Sequence, residues 1–143
     1  MPELRGYDFP DGLFYLIEHD MWARHESDGR VTVGITALGV YMAGELYAYM
    51  PKAVGTAVER ERAFGVVEMS KAIRSVRSPV AGRVVSVNAA ARARPALINA
   101  DPYGEGWLAQ LEPNDWSQDR SGLVTGAALT AAMLAYMDLN EIA

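Results

Sequence analysis

The chain has 143 residues, half of them apolar, a net charge of −5 and no cysteine. That length supports one domain with a real core and excludes a disordered chain. An acidic balance without a basic run argues against a nucleic-acid binder, and the absence of cysteine excludes disulfides, cysteine nucleophiles and thiolate metal sites.

The opening MPELRGYDFPDG carries no apolar signal core, and no apolar run is long enough to cross a membrane. A soluble, cytoplasmic protein is therefore expected. Phe9-Pro10-Asp11-Gly12 predicts a turn. The aromatic and branched run from Leu13 to Glu26 holds one or two strands, and Asp28-Gly29 is a hairpin signal. Val31, Val33 and Ile35 alternate with Thr32 and Gly34, which predicts a half-buried strand. A short helix follows from Thr36, its cap, to Gly44. LYAYMP predicts a strand stopped by Pro51. Short strands are then expected at TAVERE, AFGVVEM, AIRSVRS and GRVVSVN, with turns at Val54-Gly55, Ser78-Pro79 and Ala81-Gly82. Such spacing suggests a sandwich or barrel. ARARPALINADPYGEGW is expected to be a long turn-rich connection, and Trp107 to Pro113 the last strand. From about Asn114 the chain turns alanine- and leucine-rich. There Thr125 is the expected cap of a helix whose stripe is Leu129, Met133, Leu134 and Met137. Residues 1–143 thus read as a single domain with a C-terminal helical extension from about 114. GRVTV (29–33) and GRVVSV (82–87) echo one another, consistent with two pseudo-equivalent halves.

Lysine is scarce: Lys52 and Lys71 stand against eleven arginines. The two cations differ chemically, because a lysine amine can lose its proton and be acylated. If AFGVVEM enters and AIRSVRS leaves a hairpin, Lys71 sits at its tip. A modifying enzyme would have to deliver an activated acyl group there, with Glu68 as a recognition handle. On spacing alone, an ordinary exposed turn lysine with a solvated neighbour is the favoured reading.

VVEMSKAIRSVRSPVAGRVVSVN resembles the lipoyl-attachment region of the glycine cleavage H-protein family. The matching residues are Glu68, Lys71, Ser78, Pro79, Gly82 and Val84. VTVGIT (31–36), INADPYGEGWL (98–108) and EHDMW (18–22, with one extra residue) resemble further motifs of the family in the same order. The resemblance spans about residues 13–140. A biotin carrier fits less well, since methionines flank the lysine there and Ser70 and Ala72 do here. The resemblance implies a mainly β fold, a barrel-sandwich hybrid of the lipoyl/biotinyl type with short peripheral and C-terminal helices. It implies lipoate bound covalently to Lys71, with Glu68 read by the enzyme that attaches it. A lipoyl amide removes the lysine charge and supplies the sulfur redox chemistry that a cysteine-free chain lacks.

The sequence also departs from the glycine-cleavage pattern, which commonly follows its lysine with Ala-Ala-Ser-Asp. An acidic neighbour suits an aminomethyl cargo. Here Ala72-Ile73-Arg74-Ser75 follows, then Arg77. Alternation places Ile73, Ser75 and Arg77 on one face and Arg74 and Val76 on the other. Arg74 and Arg77 either bias the site toward anions or are edge-strand charges that resist aggregation. Tyr49-Met50-Pro51 replaces a usual Glu-Leu-Pro, and Tyr47, Tyr49 and Met50 either line a groove for the arm or pack in strands. The segments Leu4–Tyr15 and Pro113–Gly126 resemble a subgroup of the family, the lipoate-binding proteins of the sulfur-oxidising heterodisulfide-reductase-like pathway.

His19 and His25 form no metal-ligand pattern, and the former matches the family's entry histidine. The glycines around Asp101–Gly106 suit a loop that needs positive φ. No nucleophile–base or paired-carboxylate arrangement is evident, so the chain is expected to be a carrier rather than an enzyme. The expected function is a lipoyl carrier of sulfur intermediates for a heterodisulfide-reductase-like complex; the alternatives are an aminomethyl carrier of glycine cleavage and an unmodified binding module on the same scaffold. Expected partners are a lipoate ligase or lipoyl-assembly enzymes and the cognate complex, with dihydrolipoamide dehydrogenase a further one. Neither nucleic acid nor membrane is expected.

Overall fold

A computed structural model describes residues 3–143; Met1 and Pro2, the start of the turn-rich opening, lie outside the described residues. Strands β1 (Glu3–Leu4) and β2 (Tyr7–Asp8) form a small hairpin. Next come β3 (Phe14–Leu16), β4 (Met21–His25) and β5 (Val31–Ile35), then helix α1 (Ala37–Ala43). They are followed by β6 (Ala48–Pro51), β7 (Ala57–Val58), β8 (Ala63–Glu68), β9 (Ile73–Arg77) and β10 (Gly82–Val87). Helices α2 (Ala89–Ala93) and α3 (Ala96–Ala100), strand β11 (Ala109–Pro113), and helices α4 (Trp116–Arg120) and α5 (Leu129–Leu139) complete the order.

Two antiparallel sheets carry the fold. The larger runs β3-β4-β5-β11-β10-β7 and the smaller β6-β8-β9. One core lies where they meet, with Val33, Leu111 and Val84 from the large sheet and Tyr49, Phe64, Val67 and Val76 from the small one. A second core joins Phe9, Leu13, Tyr15 and Trp22 to Leu38 and to Leu129, Met133 and Met137 of α5. The predicted helical stripe packs there, with Leu134 at its half-buried margin.

Several local expectations hold for identifiable reasons. Thr36 accepts the Gly39 N–H (3.0 Å) and Gly44 ends α1 at φ +77. Gly29 turns the β4–β5 hairpin at φ +90. The echoing segments become β5 and β10, which flank β11 on its two sides. Ser78-Pro79-Val80-Ala81 carries the chain from the small sheet into the large one. Ser78 is buried there and its hydroxyl bonds Val80 (2.6 Å). Gly82 begins β10 so close to β11 that a Cβ would collide with the Glu112 carbonyl oxygen.

Other expectations are corrected. β5 is buried on both faces, not half-buried, because Trp22 lies over Gly34; an added Cβ there would sit 2.6 Å from the indole. TAVERE yields only the two-residue β7. The connection expected to be irregular contains α2, capped by Asn88, and α3. Thr125 does not cap a helix; its hydroxyl bonds the Leu13 carbonyl (2.7 Å) and a 3-10 turn (Gly126–Ala128) precedes α5. Gly104 and Gly106 do not adopt positive φ. They are needed for close approach instead, since side chains there would meet Asp101 and the Leu97–Ile98 backbone.

Candidate functional site

Strands β8 and β9 pair from Ala63↔Arg77 to Glu68↔Ile73, and Met69-Ser70-Lys71-Ala72 turns between them. Met69 N–H donates to the Ala72 carbonyl (2.8 Å), and the Met69 side chain packs on the first core. Ser70, Lys71 and Ala72 are exposed. Lys71 therefore projects from the tip of a hairpin whose base is fixed by two strand pairings. Among the described contacts its amine has no ion pair or hydrogen bond, so it is free to be acylated. Lys52 lies beyond the opposite end of β6, where its N–H bonds the Phe64 carbonyl (2.8 Å).

Glu68 ends β8 with an exposed side chain, opposite Ile73 and beside Ala48. Its carbonyl accepts the Tyr47 N–H (2.8 Å), so its backbone is held while its carboxylate faces solvent. The three aromatic and sulfur side chains of β6 and its approach part company. Tyr49 is buried and donates to the Leu108 carbonyl (2.9 Å), whereas Tyr47 and Met50 are exposed, with Ile73, on this small sheet.

The two arginines lie on opposite faces of β9, Arg74 with the buried Val76 and Arg77 with the exposed Ile73 and Ser75. An Arg74 Nη donates to Asp20 Oδ2 (2.6 Å) and to the His19 carbonyl (3.3 Å). An Arg77 Nη donates to the Glu61 carbonyl (3.0 Å). His19 lies 3.7 Å from Glu61, and His25 stacks on Trp116, so the histidines do not converge.

Asp20 is a buried tie between elements that the sequence reading missed. It sits in the left-handed region (φ +59) after a 3-10 turn (Ile17–His19), at the point where EHDMW has its extra residue. It is only 4 % exposed. Its Oδ1 accepts the Tyr136 hydroxyl of α5 (2.8 Å) while Oδ2 takes Arg74. Burial, with the Asp20 charge beside it, pushes the Tyr136 phenol above its ordinary range and keeps it a donor. The base of the lysine hairpin is thus tied to the large sheet and to α5 through one carboxylate. The extra residue was the only signal for this in the sequence, and spacing could not reveal partners 54 and 116 positions away.

No group of three or more acidic or histidine side chains among the described residues could hold a metal. No helix of the described residues is long and apolar enough to cross a membrane.

The family model for the glycine cleavage H-protein matches residues 13–135. "Glycine cleavage system H protein 5" of Aquifex aeolicus is 41% identical over 128 residues, covering 87% of this chain and 86% of its own length. "Probable glycine cleavage system H protein 2" of Sulfurisphaera tokodaii is 33% identical, with 99% of this chain and 97% of the relative covered. The crystal structure of a glycine cleavage system H protein from Mycobacterium marinum superimposes with a TM-score of 0.72 at 33% identity, over 93% of this chain and 99% of that one.

Proposed function

Because this chain belongs to the glycine cleavage H-protein family, whose cofactor is lipoate joined to a lysine, we propose that Lys71 is that lysine and that its arm carries the aminomethyl group of glycine cleavage. The observation that carries this reading is the unpartnered Lys71 at the tip of a hairpin with a fixed base. Glu68, exposed three residues earlier, is the handle for the lipoate ligase or lipoyl-assembly enzyme. Once bound, a lipoyl group supplies a dithiolane that is reduced to a dithiol or opened by a nucleophile. The chain's own task is to hold the tip rigid and exposed, so that successive enzymes reach the same attachment point. It acts as a carrier rather than a catalyst, the substrate and partner of the glycine-cleavage enzymes and dihydrolipoamide dehydrogenase in the cytoplasm. Residues 1–143 act as one domain, with the segment from 114 packed on the body: Trp116 meets Phe14 edge-on (4.9 Å).

A second reading makes the cargo a sulfur intermediate passed to a heterodisulfide-reductase-like complex. It rests on Leu4–Tyr15, Pro113–Gly126 and the two arginines beside the hairpin. Arg74 is already paired with Asp20, and the matched relatives are glycine cleavage H proteins, so glycine cleavage is placed first. A reconstituted glycine-cleavage assay with the lipoylated chain separates the two. Aminomethyl loading is expected; complete inactivity there, with binding to the sulfur-oxidising complex, would reverse the order.

A further inference from the structure

The edge of a β-sheet presents unpaired N–H and C=O groups unless something blunts it. The two main sheets have four edges, and among the described residues three are blunted. Tyr15 of β3 is bridged to Val124 by two bonds (2.8 and 2.9 Å). β7 is only two residues long. β6 ends in Pro51, which has no N–H, and α2 lies against it. The fourth edge is β9, which has no proline and keeps a regular register with β8 from Ile73 to Val76.

Hydrogen-bond alternation identifies the groups that this edge leaves open. Glu68 and Phe64 turn their carbonyls to the β6 side, where they accept the Tyr47 and Lys52 N–H groups (both 2.8 Å). Backbone groups alternate sides along a strand, so Val67, not Glu68, bonds toward β9. The Met69 bond to Ala72 across the turn (2.8 Å) gives the same alternation. Arg74, opposite Val67, is therefore bonded within the sheet, while the N–H and C=O of Ile73 and Ser75 point off the edge. Both residues are exposed, Ile73 to 65 %. Neither arginine of β9 guards the stretch, since Arg74 is drawn to Asp20 and Arg77 to the Glu61 carbonyl.

We propose that the open edge of β9 at Ile73 and Ser75 is the docking site of the enzyme that acylates Lys71, which adds a strand of its own to the small sheet. The proposal rests on the lipoyl-carrier reading. Attachment is the one step in which an enzyme must hold the Lys71 amine itself, about 3–3.5 Å from an acyl carbon. Enzymes that act on the cargo meet the far end of the arm. In the attachment step the deprotonated amine bonds the acyl carbon, and the activating group leaves with the electron pair of its own bond. The edge begins two residues beyond Lys71, and Glu68 stands across from Ile73 on the same exposed face. One approach thus reads both the edge and the carboxylate. Main-chain bonds set the position of the amine along the added strand, and an apolar side chain of that strand covers Ile73.

Amide hydrogen exchange tests this on the whole chain, alone and with the host's lipoate ligase occupied by a lipoyl-adenylate analogue that cannot transfer its acyl group. In the free chain Ile73 and Ser75 should exchange fast, and Arg74 and Val76 slowly. The ligase should slow Ile73 and Ser75. Lipoylation kinetics give a second arm. Ser75→Pro removes an N–H that β8 does not use, so the variant should unfold in urea like the parent, yet its KM should rise about tenfold with kcat little changed. Edge amides that stay fast in the complex would overturn the proposal, as would a folded Ser75→Pro chain with the parent's KM. Edge amides already slow in a free chain that sediments as a dimer would overturn it too, and give the edge to a second copy. Should Ser75→Pro fold poorly, the exchange measurement decides without it. A chain isolated from its host with no lipoyl gain on Lys71 removes the carrier reading together with the proposal. A lipoylated chain whose edge behaves otherwise removes the proposal alone.

Discussion

At the scale of single residues, Lys71 and Asp20 are opposites. Lys71 is exposed, with no ion pair or hydrogen bond of its amine among the described residues, so replacing it removes chemistry without removing packing. Lys71→Arg should unfold within about 0.5 kcal/mol of the parent, as surface substitutions do, while losing every acyl modification at that position. Asp20 is buried and ties three elements. Tyr136→Phe leaves Asp20 Oδ1 without its donor and should cost about 1–3 kcal/mol in urea unfolding. Both residues lie within short quoted motifs, yet only Lys71 was legible. Its place at a hairpin tip follows from strand and turn signals within a few residues, and its proposed role from the family resemblance. The importance of Asp20 comes from contacts with Arg74 and Tyr136, which depend on how β9 and α5 pack and leave no mark at the position itself.

At the scale of elements, turn and cap chemistry was the most legible part. Thr36, Gly29 and Gly44 each act through bonds or dihedrals within a few residues, and α1 and the β4–β5 hairpin stand where those residues predict them. The misreadings have tertiary causes. β5 alternates in sequence like a strand with one wet face, but its Gly34 leaves room for the Trp22 indole, so the other face is covered too. Gly34→Ala should overpack that contact and cost about 1–3 kcal/mol, whereas a merely weak strand position would gain from the substitution. Urea unfolding of the variant decides between them. Helices α2 and α3 are five residues each, too short for a periodic signal to outweigh the glycines and prolines around them.

At the scale of the whole molecule, long-range clamps seat the hairpin on a fixed body. Tyr103 donates to the Asp8 carbonyl (2.6 Å) and accepts the Ala37 N–H (3.0 Å), joining the N-terminal hairpin, α1 and the Asp101–Gly106 loop. Trp22 Nε1 reaches the Pro102 carbonyl (3.0 Å) of that same loop. The motif INADPYGEGWL was thus legible as a family mark, but its purpose as a clamp was not. Burial raises the phenols of Tyr15, Tyr49, Tyr103 and Tyr136 above the ordinary tyrosine range. Each favours the folded state below the unfolded-state pKa near 10, and that contribution is lost as pH climbs toward the raised folded values. Stability should therefore hold to about pH 10 and fall above it. The tyrosinate absorbance of these four should appear together with loss of the fold rather than before it; an earlier, independent rise would show them to be open to solvent.

On the proposed function, this body presents one acylated lysine. Peptide mass spectrometry on protein from its native host, beside Lys71→Arg, tests it most directly. A lipoyl increment on Lys71 is expected, absent from the variant, with Lys52 unmodified in both. An unmodified Lys71, or an increment carried by Lys52, would contradict it.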